Sequence, residues 1–357
     1  MIFMAMNRGE WSEFYAILSL LENPNMNIVN ENFEDITNTL YQVKKLSLQE
    51  QETIIDYALH NDLDVSVYFN DELKEQIDKL EIKDNKEKLF NSITSAVAGA
   101  GAFEIEGVQG LLNRMTPHGI LKSKSSSKED LNALVLDSRL GNDKLLKYSI
   151  KSSLGSPATI LNASNHTNFI YEVEDLDIKY IQQINNIQTR TKLVDRYNMI
   201  KSLGGKIKFS KMECDNFDYN LKLIDSNMPK YLGEVLLNSY AFENKNLKDL
   251  FLKYNDFVDE TFALKKLGDF LEAISFGFFP SIKWNGINDV NGGLIVVKKD
   301  GKVVILDLVY FRQTVINYLI DETKLDSPSS TRYHMFELYV ENGKIYFKLN
   351  LQIRYKK

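Results

Sequence analysis

The chain has 357 residues, of which 44% are hydrophobic, so it has enough apolar surface for a buried core and is not expected to be disordered. Its single cysteine excludes an internal disulfide and fits a reducing compartment. No run of about 18 apolar residues indicates a membrane span, and residues 1–10 have no signal-peptide pattern. We therefore expect a cytoplasmic protein without a membrane partner.

The net charge of -6 argues against a nucleic-acid partner, but the basic residues are unevenly distributed. Residues 179–211 contain eight basic side chains and one acid, Asp195, and residues 348–357 are basic without any acid. Such segments can line a cleft for DNA, or they can be ordinary solvated faces.

The first predicted element is a helix, because Asn7 and Glu10 have the spacing of a reciprocal cap and apolar residues then recur at helical intervals. More helix is predicted to about residue 98, with residues 70–72 as one helix start. Two strands around a turn at residues 141–143 are predicted to form a hairpin that ends in Asp137 on one strand and Lys151 on the other. Helix is then predicted for residues 180–202 and most of 230–276.

Strands dominate the last 80 residues. Two hairpins are predicted there, around turns at residues 298–301 and 341–343, and the second continues as a strand to Tyr355. The sequence therefore predicts a mixed α/β chain.

The middle hairpin carries a pattern typical of metal-dependent nucleases. Phosphodiester hydrolysis needs carboxylates for a hard cation such as Mg²⁺ and a nearby lysine that stabilises developing charge. Asp137 lies 14 residues before Lys151, and Ser149 shares a strand face with Lys151. Because Ser149 stands where an acid is usual, one metal ligand is missing. The same spacing also occurs in ordinary surface hairpins.

Longer stretches resemble a known family, the HpaII-type restriction endonucleases of the PD-(D/E)xK nuclease fold. The resemblance is carried by five blocks that together reach from the first helix to the last strand: residues 8–13, 148–171, 284–293, 327–332 and 345–354. It implies a Mg²⁺-dependent bacterial enzyme that cuts double-stranded DNA at a short palindrome, CCGG-like by the family name.

The resemblance also implies an active site. Asp137, Ser149 and Lys151 would form its hairpin part, and similar nucleases carry a glutamate on the first helix, so Glu13 is the first candidate for the missing acid. Asp137 and Glu13 would then hold the metal. Glu10 is second, although its position suits capping, and three further acids stay open: Glu104, Glu106 and Glu172.

A candidate for DNA readout is the last predicted strand, on which Asn350, Gln352 and Arg354 alternate with apolar residues. Such side chains can hydrogen-bond to base edges, although an ordinary strand with a solvated face gives the same pattern. Additional candidates for phosphate or base contact are Arg332, His334 and His166, and Lys122, Lys124 and Lys128 for phosphate.

We therefore predict an α/β (α+β) fold of the restriction-endonuclease kind, with a central mixed β-sheet flanked by helices and a strand-rich C-terminal part. Residues 1–200 are predicted to form the nuclease core and residues 201–357 to contribute recognition. A palindromic site favours a homodimer on DNA, and a companion DNA methyltransferase is expected. Two alternatives stay open: a structure-selective repair nuclease or junction resolvase, and, given Ser149, a non-catalytic DNA-binding protein.

Overall fold

The structure, a computed structural model, describes residues 5–96, 101–121, 127–242 and 244–356. These residues fold into two compact units: the first combines residues 5–158 with 288–318, and the second combines residues 159–287 with 319–356. The predicted boundary near residue 200 falls inside a helix of the second unit, so the division differs from the predicted one. No helix in these ranges is long and apolar enough to cross a membrane.

The described residues form ten α-helices and seventeen strands. The helices are α1 (Arg8–Glu22), α2 (Lys79–Ser95), α3 (Glu106–Met115), α4 (Ile181–Asn185), α5 (Lys192–Ser202), α6 (Asp215–Ile224), α7 (Met228–Ala241), α8 (Leu247–Lys253), α9 (Glu260–Phe276) and α10 (Leu308–Glu322). The strands are β1 (Ile28–Val29), β2 (Asp35–Thr37), β3 (Tyr41–Glu50), β4 (Thr53–Ala58), β5 (Asp64–Phe69), β6 (Glu72–Asp78), β7 (Leu131–Asp137), β8 (Asn142–Ser152), β9 (Thr159–Leu161), β10 (Asn168–Glu174), β11 (Lys206–Met212), β12 (Gly293–Val297), β13 (Val303–Asp307), β14 (Thr323–Leu325), β15 (Tyr339–Glu341), β16 (Lys344–Asn350) and β17 (Ile353–Tyr355).

The first unit is built on a ten-stranded sheet with the order β2-β1-β13-β12-β8-β7-β3-β4-β5-β6. The sheet is mixed, because β12 runs parallel to β8 and β1 parallel to β13, whereas the other pairs are antiparallel. This central mixed sheet, with α1 and α2 packed against it, confirms the predicted fold class. The predicted hairpins β7–β8 and β12–β13 are also confirmed.

Helix α1 begins as predicted. The Asn7 side chain accepts hydrogen bonds from the backbone amides of Gly9 and Glu10, and the Glu10 carboxylate accepts one from the Asn7 amide. The apolar face that follows is fully buried at Trp11 and Phe14. The capping box fixes where α1 starts, and the apolar face fixes which side of the helix packs against the sheet.

The prediction of helix between residues 28 and 78 is wrong, because this segment forms β1 to β6. Asn70 and Asp71 start no helix; both adopt left-handed backbone angles, with φ of 48° and 66°, in the turn between β5 and β6. Asn and Asp tolerate that conformation, which matches the twist of a tight hairpin. Helix is found only afterwards, in α2.

The second unit contains two smaller sheets, in the orders β11-β10-β16-β15 and β14-β17-β9. The predicted helical stretch 230–276 corresponds to α7, α8 and α9, and residues 180–202 contain α4 and α5 with a break between them. The predicted last strand is interrupted at Leu351 and Gln352, so that β16 and β17 belong to different sheets. The strand-rich C-terminal part is therefore confirmed, but not as one continuous ribbon.

Candidate active site

The register of the β7–β8 hairpin brings Asp130, which the sequence analysis missed, next to Ser149. Asp137 pairs with Asn142 at the turn, and Leu131 is the last paired residue of β7 at the open end. Asp130 directly precedes Leu131, and its carboxylate accepts a hydrogen bond of 2.9 Å from the Ser149 hydroxyl. The carboxylate that lies beside Ser149 therefore comes from the open end of the hairpin and not from its turn.

Two donors from β8 fix the Asp130 carboxylate. The same oxygen, Oδ2, accepts from the Ser149 hydroxyl at 2.9 Å and from the backbone amide of Ile150 at 2.7 Å. The Lys151 ammonium lies 3.8 Å from this oxygen, and its side chain is 25% exposed. Asp130 and Lys151 therefore form an oriented acid–lysine pair.

Helix α1 brings Glu13 to the same place. Burial, and to a smaller extent the negative charge of Asp130, raise the pKa of Glu13 to about 8, although Lys151 opposes both effects. Charges act on a pKa in this way only when they are close. Glu13, Asp130 and Lys151 therefore form one electrostatic cluster.

A cleft of about 490 Å³ gives access to this cluster, and Glu13 and Lys151 both line it. Arg8 forms part of its wall: its guanidinium donates to the carbonyl of Ala96 at 2.6 Å and to that of Leu154 at 3.5 Å. A Cβ at Gly155 would lie 2.6 Å from the Arg8 side chain, so a larger residue there would displace Arg8.

The donor set fits a hard divalent cation that keeps water ligands. Among the described residues no three His, Cys, Asp or Glu side chains are close enough to form a metal cage. Mg²⁺ is nevertheless usually bound by only one or two protein carboxylates. Asp130 and Glu13 supply two. Burial chiefly raises the pKa of Glu13 and the charge of Asp130 adds to it, and a bound dication would oppose both effects.

The raised pKa of Glu13 makes the stability of the metal-free protein pH-dependent. Because the folded value of about 8 lies above the ordinary 4.5, the folded state holds an extra proton between these pH values, and this contribution is lost as the pH rises through 8. Urea unfolding in EDTA should show the stability of the wild type falling relative to Glu13→Gln between pH 5 and pH 8.5. We expect a change of at least about 1.4 kcal/mol, the equivalent of one pKa unit.

A matched control for this experiment is Glu10→Gln, because glutamine also serves in a capping box and Glu10 lies one turn from Glu13. This variant should keep most of the pH dependence of the wild type, because Glu10 is the smallest of the causes that raise the pKa of Glu13. A difference between wild type and Glu13→Gln that stays constant over this pH range would contradict the electrostatic cluster.

The structure does not bring Asp137 and Lys151 together, and this corrects their predicted pairing as catalytic and metal-binding partners. Asp137 lies at the turn, seven residues beyond Asp130 and, at about 3.3 Å per residue, about 23 Å along β7. It is fully buried and accepts hydrogen bonds from Tyr310 and Lys144. Its contacts are those of a structural residue.

The other acids considered for the missing ligand have different positions. Glu10 belongs to the capping box of α1, as predicted. Glu106 stands in the first turn of α3, and Glu172, in the second unit, forms an ion pair of 2.8 Å with Lys344. Glu13 is thus the acid that the structure places beside Asp130 and Lys151.

The predicted readout face on the last strand is not formed. Asn350 is fully buried: its amide donates to the Ser164 carbonyl and to the Asn168 side chain, both at 2.6 Å, and it accepts from Thr167. This burial corrects the prediction that Asn350 contacts DNA. A strand break puts Gln352 between β16 and β17, and Arg354 forms an ion pair of 3.0 Å with Asp326.

By contrast, the other three predicted DNA contacts come together in the second unit. His166, Arg332 and His334 line one depression of about 420 Å³, together with Lys348. The backbone of His334 is left-handed, with φ of 48°. Non-glycine residues in that region concentrate at functional sites, so this depression is a second candidate site.

The basic segments are less available than their composition indicates. Lys179, Lys206 and Lys208 form ion pairs with neighbouring acids. Arg196 is fully buried and donates to backbone carbonyls, and Lys348 pairs with Glu213. Lys122 and Lys124 lie outside the described residues.

Comparisons with known proteins agree with the earlier resemblance. The family model for the HpaII restriction endonuclease matches residues 7–355. A relative from Haemophilus parainfluenzae, the Type II restriction enzyme HpaII, is 33% identical over 366 aligned positions, which cover 99% of this chain and 99% of that protein. No solved structure matches. Since the family match and the similarity both extend over nearly the whole chain, the protein belongs to the HpaII restriction endonuclease family.

Proposed function

We propose that this restriction endonuclease is a Mg²⁺-dependent site-specific deoxyribonuclease that cuts both strands of DNA, with Asp130, Glu13 and Lys151 at its active site. The observation that carries the proposal is the cluster itself: a fixed carboxylate, a second carboxylate close to it, and an ammonium 3.8 Å from the first. These are the groups that phosphodiester hydrolysis requires.

In the proposed reaction a water oxygen bonds to phosphorus, one P–O ester bond breaks, and the leaving oxygen takes up a proton. Asp130 and Glu13 would hold Mg²⁺, which when bound neutralises phosphate charge and lowers the pKa of water. Ser149 and the amide of Ile150 keep the Asp130 carboxylate in place. Lys151 orients the attacking water or stabilises the charge that develops on phosphorus oxygens.

Ser149 does for Asp130 what the usual acid at its position could not do. Its hydroxyl donates a hydrogen bond to Asp130, whereas a second carboxylate there would repel it. Glu13 supplies the second acid from α1 instead. This arrangement favours an active nuclease over the alternative of a non-catalytic DNA-binding protein.

DNA contact by the depression around His166, Arg332 and His334 is a further part of the proposal. The Arg332 guanidinium lies 5.5 Å from the Tyr333 ring and suits phosphate or guanine. We infer a short palindromic site, CCGG-like as the family name implies, a homodimer on DNA, and a companion methyltransferase that protects the host site. Two-fold symmetric sites favour two-fold symmetric proteins.

The test of the proposal is plasmid digestion with Lys151→Ala. We expect the wild type with Mg²⁺ to give discrete fragments, and the variant to cut at least about a hundredfold more slowly in single-turnover assays, the usual loss when one charge-stabilising group is removed. DNA binding in EDTA should change little. Undiminished cutting by Lys151→Ala would contradict the assignment, and cutting of branched DNA without fixed fragments would indicate a structure-selective nuclease.

A further inference from the structure

The depression of the second unit contains an acid among its basic side chains. Glu213 directly follows β11, and its side chain is 35% exposed. It lines the depression of about 420 Å³ together with His166, Arg332 and Lys348. Of the described residues around this depression, Glu213 is the only acid. A carboxylate repels phosphate, so contact with the DNA backbone does not explain why an acid is there.

Hydrogen bonds from the interior hold the Glu213 carboxylate in place. The amide of Asn168, a residue that is only 3% exposed, donates to Oε2 of Glu213 at 2.6 Å. Asn168 in turn accepts from the fully buried Asn350 amide at 2.6 Å, and Asn350 is itself fixed by Ser164 and Thr167. Satisfied buried networks of this kind are rigid. Asn350, predicted as a DNA contact, is therefore the inner end of a hydrogen-bonded chain that leads to Glu213.

Glu213 can still accept hydrogen bonds from a ligand. A carboxylate has two oxygens and about four acceptor positions. Among the described residues, Asn168 donates to Oε2 and Lys348 donates to Oε1. The Lys348 ammonium also offsets the negative charge of the carboxylate, which lowers the cost of bringing Glu213 close to DNA. The half-exposed carboxylate is thus a fixed acceptor with unused positions.

The side chains of the depression fit the edge of a base pair better than a phosphate. Phosphate oxygens only accept hydrogen bonds. In the major groove, however, cytosine presents its N4 amino group as a donor, and guanine presents N7 and O6 as acceptors. Adenine presents the acceptor N7 beside its amino group, which suits an amide and repels a carboxylate. Glu213 is therefore matched to cytosine, while the Arg332 guanidinium over the Tyr333 ring supplies donors that suit guanine.

We propose that Glu213 is a specificity-determining residue, which accepts a hydrogen bond from the N4 amino group of a cytosine in the recognised DNA. The inference rests on the proposed function, in which this depression contacts DNA. Asn168 and Asn350 are positioning residues, because they hold the carboxylate and do not touch the base. Lys348 is the counter-ion that keeps the acid compatible with the nearby phosphates.

The first measurement uses the wild type alone. After plasmid digestion has fixed the recognised sequence, each cytosine in it is replaced in turn by 2-pyrimidinone, which lacks the amino group. Single-turnover cleavage at subsaturating enzyme should slow about fivefold to twentyfold at the contacted cytosine, the lower part of the range for a base contact because one hydrogen bond is lost. A recognised sequence without cytosine, or no slowing at any position, overturns the inference and leaves the nuclease assignment intact. A wild type that cuts no DNA overturns both.

The second measurement assigns the contact to Glu213, because 2-pyrimidinone also weakens the pairing with guanine whichever protein is used. Glu213→Ala is compared with Glu172→Ala. The control is matched, since Glu172 also pairs with a lysine of β16, Lys344, at 2.8 Å, but is not among the described residues that line the depression. At one cytosine the penalty for the analogue should largely disappear in Glu213→Ala and persist in Glu172→Ala, as in a double-mutant cycle.

A positioning role makes a separate prediction for Asn168. Asn168→Ala removes the donor that fixes the Glu213 carboxylate, so it should lose part of the same penalty at the same cytosine. A residue with a structural role alone would leave the ratio of the two cleavage rates unchanged. An undiminished penalty at every cytosine in folded Glu213→Ala overturns the proposal.

Discussion

Replacing Asp130 with Asn is expected to reduce DNA cleavage at least about a thousandfold, the largest loss of activity that the structure predicts. Asp130 is the carboxylate that β8 fixes with two hydrogen bonds, and Lys151 lies 3.8 Å from it. Asparagine keeps the shape and can still accept both bonds, but it lacks the charge that a divalent cation requires. The loss of several kcal/mol of metal-derived stabilisation corresponds to about three or more powers of ten in rate.

The measurement is a single-turnover cleavage assay over a range of Mg²⁺ concentrations. Ser149→Ala should lose only about tenfold, because it removes one of two hydrogen bonds and leaves the charge of Asp130 in place. DNA binding by Asp130→Asn in EDTA should be no weaker than that of the wild type, since a negative charge near the phosphate is removed. Near-normal cleavage by Asp130→Asn would falsify this site.

The position of Asp130 beside Ser149 follows from the strand pairing of an antiparallel hairpin. The hairpin and its turn were predicted correctly from the turn residues and the flanking strand patterns. In an antiparallel hairpin, however, the end of the first strand pairs with the beginning of the second, on either side of the turn. A lysine at the far end of β8 therefore meets the beginning of β7, where Asp130 stands, and not its end, where Asp137 stands.

Other features depended on long-range contacts that no local pattern reports. The alternation at Asn350 resembled a strand with a wet face, but its amide is buried by Ser164, Thr167 and Asn168, more than 180 residues earlier in the chain. By contrast, the cap of α1 is local and was predicted from Asn7 and Glu10 alone. The role of Glu13 came from the family resemblance, since nothing in its own segment indicates that Asp130 lies beside it.

Replacing Asp137 with Ala is expected to destabilise the protein by about 3 kcal/mol without removing the cleavage chemistry. Its fully buried carboxylate accepts from the Tyr310 hydroxyl at 2.8 Å, from Lys144 at 2.9 Å and from the backbone amides of Arg139 and Leu140. Burial raises the pKa of Asp137. The hydrogen bonds from these donors lower it by more, so the pKa lies below its ordinary value. Removing one partner of a buried charged network typically costs about 3–5 kcal/mol.

Urea unfolding at pH 7 measures this effect, with Asp143→Ala as the control. Asp143 lies in the same hairpin but forms an exposed ion pair with Lys44, for which a change below about 1 kcal/mol is expected. Because the pKa of Asp137 is lowered, the advantage of the wild type over Asp137→Ala is present above pH 3.8 and is lost as the pH falls through the lowered value. Folded Asp137→Ala should cut DNA at close to the wild-type rate. If a stably folded Asp137→Ala variant failed to cut DNA, this prediction would be wrong. Asp137 would then have a catalytic role, because the loss of activity could not be explained by unfolding.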